Sequence, residues 1–256
     1  MTQSELRIRA APWLYTAVLF IVWEAAVRLF GIPAFLLPPP TAIAGAFVEY
    51  WGPIYRNSIF TLSTTLIGFA LAVGFGLLLG LVIGWSRAIY AGLYPLMIGF
   101  NAIPKVAVVP ILVLWFGIGF IPAVLTAFLI SFFPIVVNVA TGLATIEPEL
   151  EDVLKALGAS KLDIMRKVGI PRALPYFFGS LKVAITLAFV GAVVSETVGA
   201  NKGIGKLMLD AQASFQVPIV FAGLLVLAFL GILLYGVTAA IEARFTAWAF
   251  RGQAPR

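Results

Sequence analysis

The side chains that can do polar chemistry in this chain are few and scattered. There is no histidine and no cysteine, which excludes disulfides, Cys/His zinc sites, haem ligation through histidine and imidazole acid–base catalysis. A phosphate-binding loop needs Gly, four residues, then Gly-Lys-Ser/Thr. The nearest approach is Gly205-Lys206, but Leu207 follows it and Ala200 stands at the first position, so it fails twice. No catalytic residue, no metal site and no cofactor bound by this chain is expected. What remains is a set of charged and polar residues inside long apolar stretches. Each charge there costs about 2.5–3.5 kcal/mol on insertion scales and needs a reason. Glu24 and Arg28 stand one helical turn apart with the acid first, the favourable order for an ion pair, and read as mainly structural. Lys105 lies between Pro104 and Pro110, which break a helix and free carbonyls. Such backbone is tolerated at membrane depth where it is buried in protein or lines a water-filled cavity. Lys105 there meets an anionic solute, or pairs with Glu196, or reaches outward. Glu196, with Ser195, Thr197 and Asn201, forms a polar patch. It reads as a gate or partner contact, or else as the partner of Lys202 or Lys206. Asn101, Ser131 and Asn138 are placed to hydrogen-bond across helices, lining a path or joining spans. Lys182 is expected to snorkel to the inner face.

The elements that must position these groups are membrane spans. Of the 256 residues 62% are hydrophobic and only 11% are charged, against about 25% charged in a soluble domain. So much apolar surface does not fit one globular core, and lipid must solvate much of it. A spanning helix needs about 20 mainly apolar residues, and the stretches 13–31, 59–85, 93–116, 121–143, 174–199 and 217–241 qualify. Arg7 and Arg9 precede the first stretch as in a secretory leader. That stretch is long enough to span and has no clean small-residue cleavage site, so it reads as retained.

The 17 basic residues against 11 acidic give a net charge of +6. They cluster between apolar runs, which points to the membrane surface and away from nucleic acid. With both termini inside, the inner side holds Arg7, Arg9, Arg87, Lys155, Lys161, Arg166, Lys167, Arg172, Arg244, Arg251 and Arg256. The outer side holds only Arg56, Lys202 and Lys206, as the positive-inside rule expects. Residues 32–57 contain Pro38-Pro39-Pro40 and a helix start at Thr41; Ile43, Phe47 and Trp51 then recur at four-residue spacing, which fits a short interfacial helix. Residues 199–216, with Gly199, Gly203 and Gly205, read as a flexible outer loop or re-entrant turn. In the second span Gly68, Ala72, Gly76, Gly80 and Gly84 repeat every fourth residue, a face on which helices approach closely in lipid.

The inner loop 144–173 is the longest polar segment. Residues 147–158 read as a short helix with Pro148 in its first turn, acids at its N-terminal end and Gly158 ending it. A second short helix, about 160–168, is expected to close at Gly169-Ile170-Pro171.

This arrangement resembles the EAA loop of ATP-binding cassette (ABC) importer permeases: Glu-Ala-Ala, three residues, Gly, nine residues, Ile-x-Leu-Pro. Gly158 takes the glycine position and Val168-Gly169-Ile170-Pro171 the closing element, with the nine-residue gap kept. Asp152 stands for the Glu, and Val153 and Leu154 replace the alanines. Leu37-Pro38-Pro39-Pro40, Ile103-Pro104-Lys105-Val106-Ala107 leading to Leu114-Trp115-Phe116-Gly117, and Ser195-Glu196-Thr197-Val198-Gly199-Ala200-Asn201-Lys202-Gly203-Ile204-Gly205 resemble the nitrate/sulfonate/taurine type of permease. The likeness covers roughly residues 10–250.

The resemblance implies an all-α membrane protein of six transmembrane helices. It implies the type I (MetI-like) importer permease fold, with residues 1–256 as one domain and both termini cytoplasmic. It places the chain in a bacterial cytoplasmic (inner) membrane. The implied partners are two ABC ATPase subunits that carry ATP and magnesium, a second permease copy or close paralogue, an extracytoplasmic solute-binding protein, and membrane lipid. The loop would dock on the ATPase through apolar Leu154, Leu157, Ile164 and Val168, with Glu151, Asp152 and Lys155 at the rim and Ala156, Gly158 and Pro171 completing the set. The implied solute is a nitrate-, sulfonate- or taurine-like anion, or a pyrimidine-type vitamin precursor. A self-contained secondary transporter is the rival, but the two halves show no internal repeat.

Overall fold

The computed structural model describes residues 3–145 and 147–246; Arg251 and Arg256 lie outside them. Every regular element among these residues is a helix. In chain order they are α1 (Gln3–Leu29), α2 (Pro40–Glu49), α3 (Trp51–Gly84), α4 (Arg87–Ala102), a 3₁₀ turn (Lys105–Val108), α5 (Val109–Phe116) and α6 (Phe120–Ala144). The inner loop holds α7 (Pro148–Ala156) and α8 (Lys161–Ile164), and a π turn (Met165–Gly169) leads into α9 (Ile170–Gly199). The chain ends in α10 (Ile204–Ala213) and α11 (Val217–Thr246). Among the described residues four helices are long and apolar enough to cross a membrane: α3, α6, the run Lys161–Gly199 and α11. The pair α4 and α5 makes a fifth if it counts as one span.

The centre of the bundle is α6, packed against α3 on one side and α9 on the other. The glycine stripe explains the first contact. A Cβ on Gly68 would fall 2.5 Å from Ala127 Cβ, one on Gly76 2.9 Å from Ile135 Cβ, one on Gly80 2.7 Å from Val139 Cβ, and one on Gly84 2.7 Å from Leu143 Cβ. The side chains of α6 thus sit in notches on α3 four residues apart, at backbone separations that only glycine permits. The expected packing face is the observed one. On the other side of α6, Gly142 meets Ala173 of α9, and Gly191 of α9 meets the Thr126–Ala127 backbone. Ala72, Ile135, Val139, Leu143, Ala173, Leu181 and Ala184 form the buried core between the three helices.

Several expected boundaries are corrected. The helix that carries the second expected span starts at Trp51, upstream of 59, because α3 continues through Arg56, Asn57 and Ser58 to meet α2 at Tyr50. Stretch 93–116 is not one helix. Pro104 leaves Ile103 extended, and the two halves lie 72° apart. Pro110 does not break anything: it occupies the first turn of α5, where its missing N–H costs nothing. The segment 199–216 is not a loop but carries α10. The Lys182 Nζ pairs with Glu242 of α11 at 2.5 Å.

The Glu24–Arg28 pair forms at 2.6 Å. Its carboxylate also accepts the Thr41 N–H (3.1 Å) and hydroxyl (2.9 Å). The pair therefore fastens α1 to the first turn of α2. The interfacial helix expected near Thr41 is α2, with Ile43 buried and Phe47 against Trp51 at 5.3 Å between ring centroids.

Candidate functional site

Two clusters stand out, one on the 144–173 loop and one at the opposite end of the bundle. On the loop, α7 starts where the sequence places it, with Glu147 at the cap, Pro148 in the first turn, and Glu149 and Glu151 beside it. It ends at Gly158, whose φ is +84°. There the Gly158 N–H bonds to the Lys155 carbonyl at 2.9 Å and the Ala159 N–H to the Leu154 carbonyl at 3.0 Å, the crossed pair of a Schellman stop. A Cβ on Gly158 would meet nothing within 4 Å, so glycine is needed for its backbone, not for space.

The next helix restarts at Ser160. Its hydroxyl accepts the Asp163 N–H at 3.2 Å, and the Asp163 carboxylate accepts the Ser160 N–H at 3.2 Å, a reciprocal capping box. The Ser160 hydroxyl also donates to Asp163 Oδ2 at 2.5 Å; this bond first, and then the Ser160 N–H, holds the Asp163 carboxyl below its ordinary value of 3.8. A depressed folded value means the cap is intact at neutral pH and is lost as pH falls through that value. Ser160→Ala is accordingly expected to speed amide exchange at residues 160–164 at pH 7. The protection factor of these amides in the wild type, which corrects for the pH dependence of intrinsic exchange, should fall to the variant's level only in strong acid, as read by exchange mass spectrometry.

The second loop helix does not close at Gly169-Ile170-Pro171, contrary to expectation. A π turn, in which the Ile170 N–H bonds to the Met165 carbonyl, carries the chain past this point, and the helical run continues from Lys161 to Gly199. The loop therefore bends once, at Gly158–Ser160. On one side of the bend lies α7, which among the described helices packs only against α8. On the other side lies a rod continuous with α9.

Exposure sorts the expected docking residues. Leu157 is 78% exposed, and Val153, one turn before it, is 56% exposed. Asp152, Lys155, Ala156 and Gly158 are exposed, and Glu151, Leu154, Val168 and Pro171 half-buried. Ile164 is corrected: it is buried against the chain's own spans and offers nothing outward. Val153 and the exposed Leu162 were not singled out, although the Val153–Leu157 spacing is a helix-face signal.

Lys155 pairs with Glu151 at 2.9 Å and Asp152 at 3.7 Å. The Lys155 hydrogen bond, with further pull from Arg87 and Lys161, holds the Glu151 carboxyl below its ordinary value. These groups face a cleft of about 250 Å³ between α7, the α3–α4 turn and the end of α6. Lys161 Nζ caps it, 5.5 Å from the centre of the Trp85 ring. Arg172 of α9 reaches Glu147 at 3.2 Å and holds the entry to α7.

The polar residues expected along a pathway behave differently from one another. Ser131 donates to the Ala127 carbonyl at 2.6 Å and Asn138 to the Pro134 carbonyl at 2.8 Å. Both bond within α6 and not across helices, which corrects that expectation. Lys105 does not pair with Glu196. Its Nζ bonds to Asn101 Oδ1 at 2.6 Å and lies 5.7 Å from the centre of the Phe133 ring. Asn101 and Lys105 thus form one exposed-to-half-buried polar pair at the bend between α4 and α5.

Glu196 is fully buried and pairs with neither Lys202 nor Lys206; the latter bonds Asp210 at 2.5 Å. Its Oε2 accepts the Thr61 hydroxyl at 3.0 Å and the Gly205 N–H at 2.9 Å. Thr61 and Asn57 were not read as partners of this patch. Their i, i+4 spacing at the outer end of α3 put them on one face, but nothing local points to residue 196. Ser195 is also buried, and Thr197 bonds to the Val194 carbonyl within its own helix at 2.8 Å.

These features define a class: a helical multi-pass membrane protein with an exposed helix ending at a bend at Gly158 and a sealed polar cluster where α3, α9 and α10 meet. The chain belongs to the family of binding-protein-dependent transport system inner membrane components, whose model matches residues 72–247. It is thus an ABC transporter permease of an inner membrane, and the nitrate/sulfonate/taurine type named from the sequence fits its relatives. It is 34% identical to the formylaminopyrimidine transport permease protein ThiX of Halalkalibacterium halodurans, over 93% of this chain and 95% of that one. It is 37% identical to the riboflavin transport system permease protein RibX of Chloroflexus aurantiacus (90% and 87% covered). To the taurine transport system permease protein TauC of Escherichia coli the identity is 27% (91% and 87% covered). The fold is similar to that of a chain in a structure of the MetNI methionine ABC transporter described as inward facing, with a TM-score of 0.62 at 22% identity, covering 72% of this chain and 92% of that one.

Proposed function

We propose that this chain is the membrane-spanning subunit of an ABC importer. It carries a small solute inward and couples that movement to a separate ATPase through residues 144–173. The observation that carries the reading is α7: it ends at a bend at Gly158, packs among the described helices on α8 with the Glu147–Arg172 pair at its start, and leaves Val153 and Leu157 exposed. A helix so weakly held by its own chain is suited to being held by another.

In this reading the chain has six spans as one domain, 1–256, with both termini cytoplasmic; α1 supplies the first and the bent α4–α5 pair the third. Two ATPase subunits bind ATP and magnesium, a second permease copy or close paralogue completes the pathway, and a soluble binding protein delivers solute outside. The Asn101–Lys105 pair faces that pathway and suits an anionic or hydrogen-bonding solute. Relatives named for taurine, riboflavin and formylaminopyrimidine support a nitrate/sulfonate/taurine-like anion or a vitamin-precursor-like heteroaromatic.

The test is co-purification. Expressed with the genes beside its own, the chain is expected to retain a nucleotide-binding subunit through detergent extraction, and the complex to hydrolyse ATP. A chain that is well folded yet never retains such a subunit rules the reading out.

A further inference from the structure

The first amides of a helix have no partner within it, and α10 carries no local side-chain cap. Three of its leading amides are instead satisfied from across the bundle. The Gly203 N–H bonds to Asn57 Oδ1 at 2.7 Å, the Ile204 N–H to Thr61 Oγ1 at 3.0 Å, and the Gly205 N–H to Glu196 Oε2 at 2.9 Å. Asn57 and Thr61 belong to α3 and Glu196 to α9. Thr61 and Glu196 are themselves bonded at 3.0 Å, and both are fully buried. The packing leaves no slack. Gly203 adopts φ +111°, and a Cβ there would fall 2.1 Å from Glu196 Cδ; one on Gly205 would fall 2.7 Å from the Val193 carbonyl oxygen.

Only one oxygen of the carboxylate is used. Oε2 takes both donors, while Oε1 is buried and meets no protein donor. The local requirement is therefore for an acceptor at one place, not for a charge.

We propose that Glu196 is a positioning residue. With Thr61 and Asn57 it forms a latch that caps α10 and seats it on the outer ends of α3 and α9, so that the three outer ends move as one body during transport. Lys202, Lys206 and Asp210, on and beside α10, are thereby presented to the outer side in a fixed orientation. The transport part of this inference rests on the importer reading above.

The test compares Glu196→Gln, Glu196→Ala and Thr61→Val in the intact permease. A glutamine can place its oxygen where Oε2 lies and its NH₂ where Oε1 lies, so the latch should survive. Alanine removes the acceptor, and valine removes the hydroxyl that Ile204 and Glu196 share. Amide exchange over residues 200–213, measured on the permease in nanodiscs, should quicken about tenfold or more in Glu196→Ala and Thr61→Val, and stay within about twofold of wild type in Glu196→Gln.

In the assembled transporter, the stimulation of ATP hydrolysis by the binding protein should fall toward onefold in the first two variants and persist in the third. Exchange as slow as wild type in both Glu196→Ala and Thr61→Val overturns the latch. So does a Glu196→Gln that fails like alanine, since the charge would then be what matters. Should Glu196→Ala not accumulate, Thr61→Val, nearly the same size and shape, decides the matter. The exchange arm needs no partner subunit, so a failure of the importer reading leaves it intact.

Discussion

Gly80→Val is expected to destabilise the whole bundle, whereas Gly74→Val on the same helix is expected to change almost nothing. A Cβ on Gly80 would lie 2.7 Å from Val139 Cβ and 3.1 Å from the Val136 carbonyl oxygen, while one on Gly74 meets nothing within 4 Å. Relief requires α3 and α6 to separate, and Gly76 and Gly84 pin them on either side of residue 80 with contacts equally close. Overpacking of this kind costs typically about 1–3 kcal/mol per site, against a total stability of about 5–15 kcal/mol for a domain. One substitution should lower the melting midpoint of the detergent-solubilised protein by several degrees. The pair Gly76→Val with Gly80→Val should leave little monodisperse protein on size exclusion. Equal melting of the Gly74 and Gly80 variants would show that the stripe is not the seam.

The second large effect concerns the inner loop. Val153→Asp with Leu157→Asp should leave folding untouched and remove the ATPase partner. Both side chains are mostly exposed, at 56% and 78%, so the fold does not depend on them. Buried at an interface, each would lose about 1.5–3 kcal/mol of apolar burial when replaced by a charged residue. Together they should weaken association by roughly 10²–10³-fold, which co-purification and titration of the isolated subunits both read. Ile164→Asp is the contrasting variant. That side chain is buried in the permease itself, so its effect should appear as loss of protein and not as loss of partner. Unchanged association in the Val153/Leu157 double variant would mean that α7 is not the docking helix.

What could be read from the sequence was whatever repeats with a period or follows a local rule. The glycine stripe has a four-residue period and predicts a close helix contact before any partner is known. Glu24 and Arg28 are one turn apart, and Pro148 and Gly158 punctuate α7 by rules of capping and backbone conformation. What escaped was whatever depends on distant partners. The segment with Gly199, Gly203 and Gly205 looks like a loop because glycine disfavours helices. Here two of those glycines are required because Glu196 and the Val193 carbonyl come too close for a side chain. Thr61 lies 135 residues from Glu196, and no spacing rule joins them. Ser131 and Asn138 show the converse: a polar side chain in an apolar span can bond to its own helix as readily as to a neighbour. The docking surface was half legible, because the pattern gives the helix but not which face the protein itself covers, as Ile164 and Val153 show.

The run from Lys161 to Gly199 has 39 residues, which at about 1.5 Å per residue makes a strut of roughly 58 Å. It begins at the Gly158–Ser160 bend and ends three residues beyond Glu196, at the opposite end of the bundle. Near both its ends it is interlocked with α6, at Ala173 and Gly191, and α6 is notched into α3 along its length. Three helices keyed together in this way resist sliding past one another. A tilt imposed at the inner tip therefore arrives at the outer rim as the same tilt, without a relay of side-chain rearrangements and without delay between the faces. Timing between the two sides of the membrane is then a matter of stiffness, set by the notches that make the slab rigid.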